Sequence, residues 1–352
     1  MNLRKLFFPL DKSSRHQPAM DGLRGLAVLF VLVAHAINQG LLAVPEGTFV
    51  SLGKLGVYLF FIISAYLLDK QIIQVFLRGE QGWSYWRYYI SRRLLRIFPP
   101  FILALLVFRL MNEAGYKLAI GQWSDVWGHL MLGQGDSIFW SIPVEFCYYL
   151  VSPLLILFCV KVLKFKSTQT IGFLFLIVIA TVLINSFWDL PRLSTLRHLG
   201  IFSLGTILAA FETLKPASFV RVSQSIWMAD VFRIAAGILF ALIGYGVDFE
   251  ISNLHVPLGI LWCAFLLASF YKGLWRSFLS LRVLRFIGNI SYSLYLFHIP
   301  VLLWIKGFNT SGTGQLILFF LVSIALAAVI HVLIERPFLS WSKERRINGI
   351  MP

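Results

Sequence analysis

Ten stretches of this chain are long and apolar enough to cross a lipid bilayer, and that feature constrains the fold more than any other. A crossing helix needs about 20 mostly apolar residues. Runs of this kind fall near 22–40, 52–68, 98–112, 139–160, 169–188, 198–213, 229–247, 255–271, 287–305 and 314–334. Lipid offers backbone N–H and C=O groups no partner, so a spanning segment is a helix or part of a closed barrel. Alternating segments of the barrel type are absent from the sequence. The expected fold is all-α, a polytopic transmembrane helix bundle of about ten spans, forming one membrane domain over 1–352 with short basic tails at 1–21 and 335–352. Composition agrees: 58% of the 352 residues are hydrophobic and 13% charged, against about 45–50% and about 25% in soluble domains. A soluble enzyme, a nucleic-acid-binding domain and a disordered scaffold are excluded for want of polar surface.

The net charge of +15, from 31 Lys and Arg against 16 Asp and Glu, then becomes a question of sidedness. With a cytoplasmic N-terminus, the tails and even-numbered connections hold 23 Lys and Arg. The other side holds five: Lys54, Lys117, Arg192, Arg197 and Lys306. That asymmetry follows the positive-inside rule and predicts both termini in the cytoplasm. Most of the basic charge is thus explained by topology and anionic membrane lipid, and no nucleic-acid partner is expected. Cys147, Cys159 and Cys263 lie in apolar runs without ligand spacing, so they read as small buried residues, not as disulfides or zinc ligands. The first twenty residues carry Arg4, Lys5, Lys12 and Arg15 and no long apolar region, so a cleaved signal peptide is not expected.

Ionisable residues within spans are costly and face a partner or a cavity. Arg24 and His35 lie eleven residues apart in the first run. At about 100° per residue they return to nearly the same azimuth, roughly 16 Å apart along the axis. Asp21 reads as the N-cap of that helix. Taken singly, Arg24 also reads as a snorkelling cation and His35 as a core histidine. Arg92, Arg93 and Arg96 stand at the cytoplasmic mouth of the third run, before Pro99 and Pro100. Guanidinium groups suit phosphates, and the same three residues suit a topology determinant. Trp140, Ser141 and Glu145 open the fourth run, where a carboxylate needs a spatial partner or a proton. His298 falls near the middle of the ninth run behind Tyr292 and Tyr295, which read as packing residues. His331 and Glu335, i and i+4, read as an ion-paired helix end followed by Arg336 and Pro337.

These pieces together resemble the acyltransferase-3 family of integral membrane acyltransferases. The matching segments are DGLRGLAVLFVLVAH (21–35), GVYLFFIISAYLL (56–68), SRRLLRIFP (91–99), FWSIPVEFCYY (139–149), HLGIFSLG (198–205), LRFIGNISYSLYLFHIPVL (284–302) and IERP (334–337). They occur in the family's order and cover nearly the whole chain. The Arg-x10-His pair, here Arg24 and His35, is the family hallmark. One departure is Ala65, where the family usually has glycine. The chain reads as a stand-alone member, without the extracytoplasmic SGNH-type esterase domain fused to some relatives.

The resemblance implies transfer of an acyl group, most often acetyl, from cytoplasmic acyl-CoA to a hydroxyl of a carbohydrate such as an exopolysaccharide, an O-antigen or a lipid-linked glycan. It implies a bacterial inner membrane, contact with membrane lipids and partners in polysaccharide biosynthesis. On that reading His35, Arg24 and Glu145 are catalytic: His35 as general base or, as the alternative, as carrier of the acyl group itself, Arg24 below the thioester, Glu145 orienting His35 or the sugar. Arg24, Arg92, Arg93 and Arg96 hold the acyl-CoA (acetyl-CoA foremost), whose pantetheine arm runs up between helices. The thioester supplies the leaving group, and no metal is expected. The rival is a transporter or flippase of a lipid-linked saccharide, which would change sidedness without changing mass. A structural scaffold comes third.

Overall fold

Each of the ten apolar runs is carried by helix in the computed structural model, which describes residues 7–8, 17–45, 47–49, 51–248, 254–308 and 311–340. The helices are α1 (Pro18–Asn38), α2 (Leu52–Arg78), α3 (Trp83–Glu113), α4 (Trp123–Leu130), α5 (Ser141–Lys161), α6 (Ser167–Phe187), α7 (Thr195–Leu214), α8 (Pro216–Ser223), α9 (Met228–Gly244), α10 (His255–Ala268), α11 (Leu274–Leu279), α12 (Arg282–Asn289), α13 (Ser291–Lys306) and α14 (Gly312–Ile330). A 3₁₀ turn at Ser137–Trp140 leads into α5, and a π-helical turn at His331–Glu335 follows α14. Among the described residues no strand occurs.

By length and apolar character six helical stretches can cross a membrane, or eight if the bent pairs α8–α9 (69°) and α12–α13 (78°) each count as one. α10, with 14 residues, is short for a crossing, and α7 carries Arg197, His198 and Glu212 at its ends. The ten runs are therefore ten helical segments, of which six to eight have crossing dimensions.

Several boundaries differ from the sequence reading, each for a local reason. α1 begins at Pro18, whose fixed φ suits a first turn. Asp21 is thus not the N-cap but a first-turn acid, where the helix dipole favours it. α3 begins at Trp83 and runs through Pro99 and Pro100, so Arg92, Arg93 and Arg96 lie inside the helix, ahead of its apolar run. Tyr88 with Arg92, and Tyr89 with Arg93, are i,i+4 cation–π pairs at 5.9 and 5.6 Å, spacing that supports the extra turns.

The chain divides into two compact units, the first made of Met1–Ala34, Val44–Leu77 and Cys147–Asn289, the second of His35–Ala43, Arg78–Phe146 and Ile290–Pro352. In the first, small residues bring backbones together, as expected where lipid gives no hydrophobic drive for helix association. A Cβ on Gly22 or Gly25 would fall 1.9 Å from the carbonyl oxygen of Leu279 or 2.2 Å from that of Leu284. One on Gly288 would fall 1.7 Å from that of Asp21. Gly56 approaches Ala27 and Gly205 approaches Ile62 in the same way, tying α1 to α2 and α2 to α7. Asp21 pairs with Arg285 at 3.7 Å, both nearly buried.

Polar groups lock the same unit. Asp69 is fully buried and accepts from Tyr148 Oη (2.6 Å), Thr206 Oγ1 (2.5 Å) and Ser152 Oγ, joining α2, α5 and α7. Lys70 Nζ and Tyr66 Oη both donate to Glu212, at 2.7 and 2.5 Å. Replacing Asp69 by alanine is expected to destabilise the protein by about 2–5 kcal/mol, since three buried hydroxyls lose their acceptor. Asn at this position retains one acceptor oxygen and is expected to cost less. Thermal unfolding in detergent measures the difference, and an Ala variant as stable as wild type would overturn the assignment of Asp69 as an interhelical clamp.

In the second unit, Phe139 sits between Phe101, Phe108 and His129, with ring centroids at 4.7–5.6 Å. Tyr292 Oη on α13 donates to the carbonyl of Ile97 on α3 at 2.9 Å, just before the two prolines.

Candidate active site

The second unit places two imidazoles side by side. His35, in the last turn of α1, lies with its ring centroid 5.0 Å from that of His298 on α13, the rings inclined at 48°. His298 is fully buried. Its Nδ1 lies 2.7 Å from the carbonyl oxygen of Tyr295. A carbonyl only accepts, so in neutral His298 the proton is on Nδ1 and the lone pair on Nε2. Nε2 is buried and has no hydrogen-bond partner among the described residues.

The surroundings fix α13 in rotation. Tyr295 Oη donates to the carbonyl of Ile138 at 2.5 Å. It therefore accepts from Ser141 Oγ, 3.0 Å away. Helix spacing makes this possible: Tyr295 and His298 are i and i+3, so the two side chains leave α13 on neighbouring azimuths. The 3₁₀ turn Ser137–Trp140 presents the Ile138 carbonyl directly before α5. A turn further along the unit, Glu335 Oε2 lies 3.0 Å from His331 Nδ1 and accepts from Ser293 Oγ at 3.0 Å. The His331–Glu335 pair expected from spacing forms, but it does not end the helix. It sits in the π-helical turn, and the helix continues to Ser340.

The residues singled out in the sequence fall as follows. Arg24 is half-buried on α1, a single uninterrupted helix, so the shared face with His35 holds. Arg92 is exposed and donates to Tyr88 Oη at 2.8 Å. Arg93 lies over the ring of Tyr89, and Arg96 is half-buried one turn beyond Arg92. Glu145 is half-buried in the second turn of α5. The neighbour that the structure brings to His35 is His298, which the sequence placed in mid-membrane without a role. Its only signal was an ionisable residue inside an apolar run. Asp69 carries no such signal, because it lies just beyond the apolar run 52–68. The cysteines are free thiols.

Residues 17–336 match the family described as the acyltransferase domain, nine-tenths of the chain. The chain belongs to the acyltransferase-3 family. Among curated relatives it is 28% identical over 378 residues to the O-acetyltransferase OatA of Staphylococcus aureus strain NCTC 8325 / PS 47, and equally to OatA of strain COL. The aligned region covers 95% of this chain and 59% of each relative. The chain thus spans about three-fifths of the length of these relatives. No solved structure matches it. In this acyltransferase-3 chain the Arg-x10-His helix and the SYSLYLFHIP segment meet at His35 and His298.

Proposed function

We propose that this acyltransferase-3 chain is an integral membrane O-acetyltransferase, moving an acetyl group from cytoplasmic acetyl-CoA to a hydroxyl of a carbohydrate, as a glycan-modifying enzyme of a bacterial inner membrane. Both termini face the cytoplasm on this reading, in line with the 23-to-5 distribution of Lys and Arg. The observation that carries it is an imidazole on the family's Arg-x10-His helix, seated beside a second, buried imidazole with an unmet acceptor. The printed names of its relatives support the O-acetyl chemistry.

His35 takes the proton of the acceptor hydroxyl as its oxygen attacks the thioester carbonyl carbon. The tetrahedral intermediate collapses with cleavage of the C–S bond, and the proton passes to the departing CoA thiolate. Arg92, Arg93 and Arg96 hold the phosphates of CoA, Arg24 stands below the thioester on the helix that bears His35, and Glu145 orients the sugar. A thioester is already activated for acyl transfer, so the chemistry needs proton management and positioning more than a strong electrophile.

The test is incorporation of radiolabel from [1-¹⁴C]acetyl-CoA into glycan by membranes carrying the chain. Alkali-labile label is the expected result. Movement of a saccharide across the membrane without label would overturn acetyl transfer in favour of transport. Arg92→Ala and Arg93→Ala are each expected to raise KM for acetyl-CoA about tenfold, about 1.4 kcal/mol for a lost charge-assisted contact, with the defect shrinking at high salt. Unchanged KM in both would remove these arginines from the donor site.

A further inference from the structure

We propose that His298 is the positioning residue for His35: its Nε2 accepts an N–H from the His35 ring, fixing which nitrogen of His35 is free to act as base. The proposal rests on the reading of His35 as the base in acyl transfer.

Three observations lead to it. The Tyr295 carbonyl, 2.7 Å from Nδ1, holds the His298 proton on that nitrogen and leaves Nε2 as an acceptor. That acceptor is buried in a residue with no exposed surface and lacks a partner among the described residues. A buried acceptor left unmet is destabilising, so a donor belongs there in the working enzyme. The aromatic rings against His298 are those of Tyr295 and His35. The Tyr295 hydroxyl proton is already given to Ile138. The His35 ring makes no hydrogen bond to a described residue, and centroids 5.0 Å apart leave a direct N–H···N hydrogen bond to Nε2 within reach of a turn of the His35 ring.

The chain of groups then runs from the Tyr295 carbonyl through His298 to His35 and on to the acceptor hydroxyl. His35, donating from one nitrogen to His298, presents the lone pair of the other to the sugar O–H. When it takes that proton, the imidazolium is stabilised through the N–H already pointed at His298. The same proton leaves to the CoA thiolate, so both rings end neutral, as they began. His298 acts through His35 and need not touch substrate. A wrong tautomer of a catalytic histidine leaves its geometry intact and removes its basic nitrogen, an effect worth orders of magnitude in kcat.

Two variants separate positioning from packing. Gln can place Oε1 where Nε2 lies and accept the same N–H; Leu fills similar space and accepts nothing. His298→Leu is expected to lower kcat for acetyl transfer about 100-fold or more, with KM for acetyl-CoA within about threefold. His298→Gln is expected to stay within about tenfold of wild type. Equal activity of the two variants, or a loss confined to KM, would overturn the proposal. A second measurement needs no turnover. The chain has seven histidines, few enough for ¹⁵N-histidine NMR in detergent, with His298 assigned by its loss in His298→Gln. Expected are a protonated Nδ1 and an unprotonated Nε2 on His298, and a His35 that loses its single tautomer in His298→Leu. A protonated Nε2 on His298, or His35 signals indifferent to the Leu substitution, would sink the proposal even if wild-type acetyl transfer is robust. Wild-type membranes that transfer no acetyl group while the NMR signatures appear would instead count against the acyl-transfer reading alone.

Discussion

Alanine in place of His35 is expected to lower kcat for acetyl transfer by about 10²- to 10⁴-fold, the range a positioned general base contributes, with the protein folded and KM for acetyl-CoA little changed. A sugar hydroxyl is a poor nucleophile while it keeps its proton. The thioester is activated but cannot remove that proton, so the burden falls on the side chain. His35 is half-buried at the end of α1, and truncating it removes one side chain and its proposed contact with His298, at most about 1–3 kcal/mol, so the fold is expected to survive the loss of the base. That separates function from stability, and the measurement is initial rate against acetyl-CoA and acceptor concentration in membranes of matched protein content. Near-wild-type turnover would end the base assignment, and with it the positioning role of His298. A variant that fails to accumulate would show that His35 is a structural residue first.

The second large effect concerns the fold. Gly288→Val is expected to destabilise the protein by about 3–5 kcal/mol or to prevent accumulation altogether. An added Cβ at this position would fall 1.7 Å from the carbonyl oxygen of Asp21 and 3.0 Å from the amide nitrogen of Gly25. These are backbone atoms, so no side-chain rotation relieves the overlap. α12 must withdraw from α1, and the Asp21–Arg285 pair at 3.7 Å opens as it does. Gly172 on α6 supplies the control. Nothing lies within 4 Å of a Cβ there, and Gly172→Ala is expected to be neutral or to stabilise by about 0.5–1 kcal/mol through helix propensity. Thermal melts of the two variants in one detergent read the contrast. A Gly288→Val protein as stable as wild type would show that the α1–α12 approach is looser than the backbone distances state.

The two effects concern one helix. α1 uses Gly22 and Gly25 to seat itself against α11 and α12 at its start and carries His35 at its end. The segment DGLRGLAVLFVLVAH therefore holds both the packing glycines and the Arg-His pair of the proposed chemistry, and the two are unequally legible in sequence. The spacing was legible because helix geometry alone fixes it. The glycines were not singled out, because what makes a glycine necessary is the backbone opposite it, here Leu279 and Leu284 more than 250 residues along the chain.

The same limit explains the residues that were missed. Asp69 lies 79, 83 and 137 residues from the Tyr148, Ser152 and Thr206 hydroxyls it binds, and three scattered hydroxyls inside apolar runs carry no local signature. Hydropathy marks where the apolar run of the third helix begins, near residue 98, and not where the helix begins. α3 starts fifteen residues earlier, at Trp83, on aromatic and basic residues at i,i+4 spacing.

The sequence by itself determined that this chain is a set of apolar helices and that Arg24 and His35 share a face. Each follows from one segment's own composition and period, because lipid forces every backbone hydrogen bond to close within the helix. Only the tertiary structure decided which helices meet, which carboxylate is clamped and which imidazole stands beside His35. A helix apolar on all sides has no amphipathic face to announce its neighbour, so its partners are chosen by close backbone approach and by buried polar groups finding one another across the bundle.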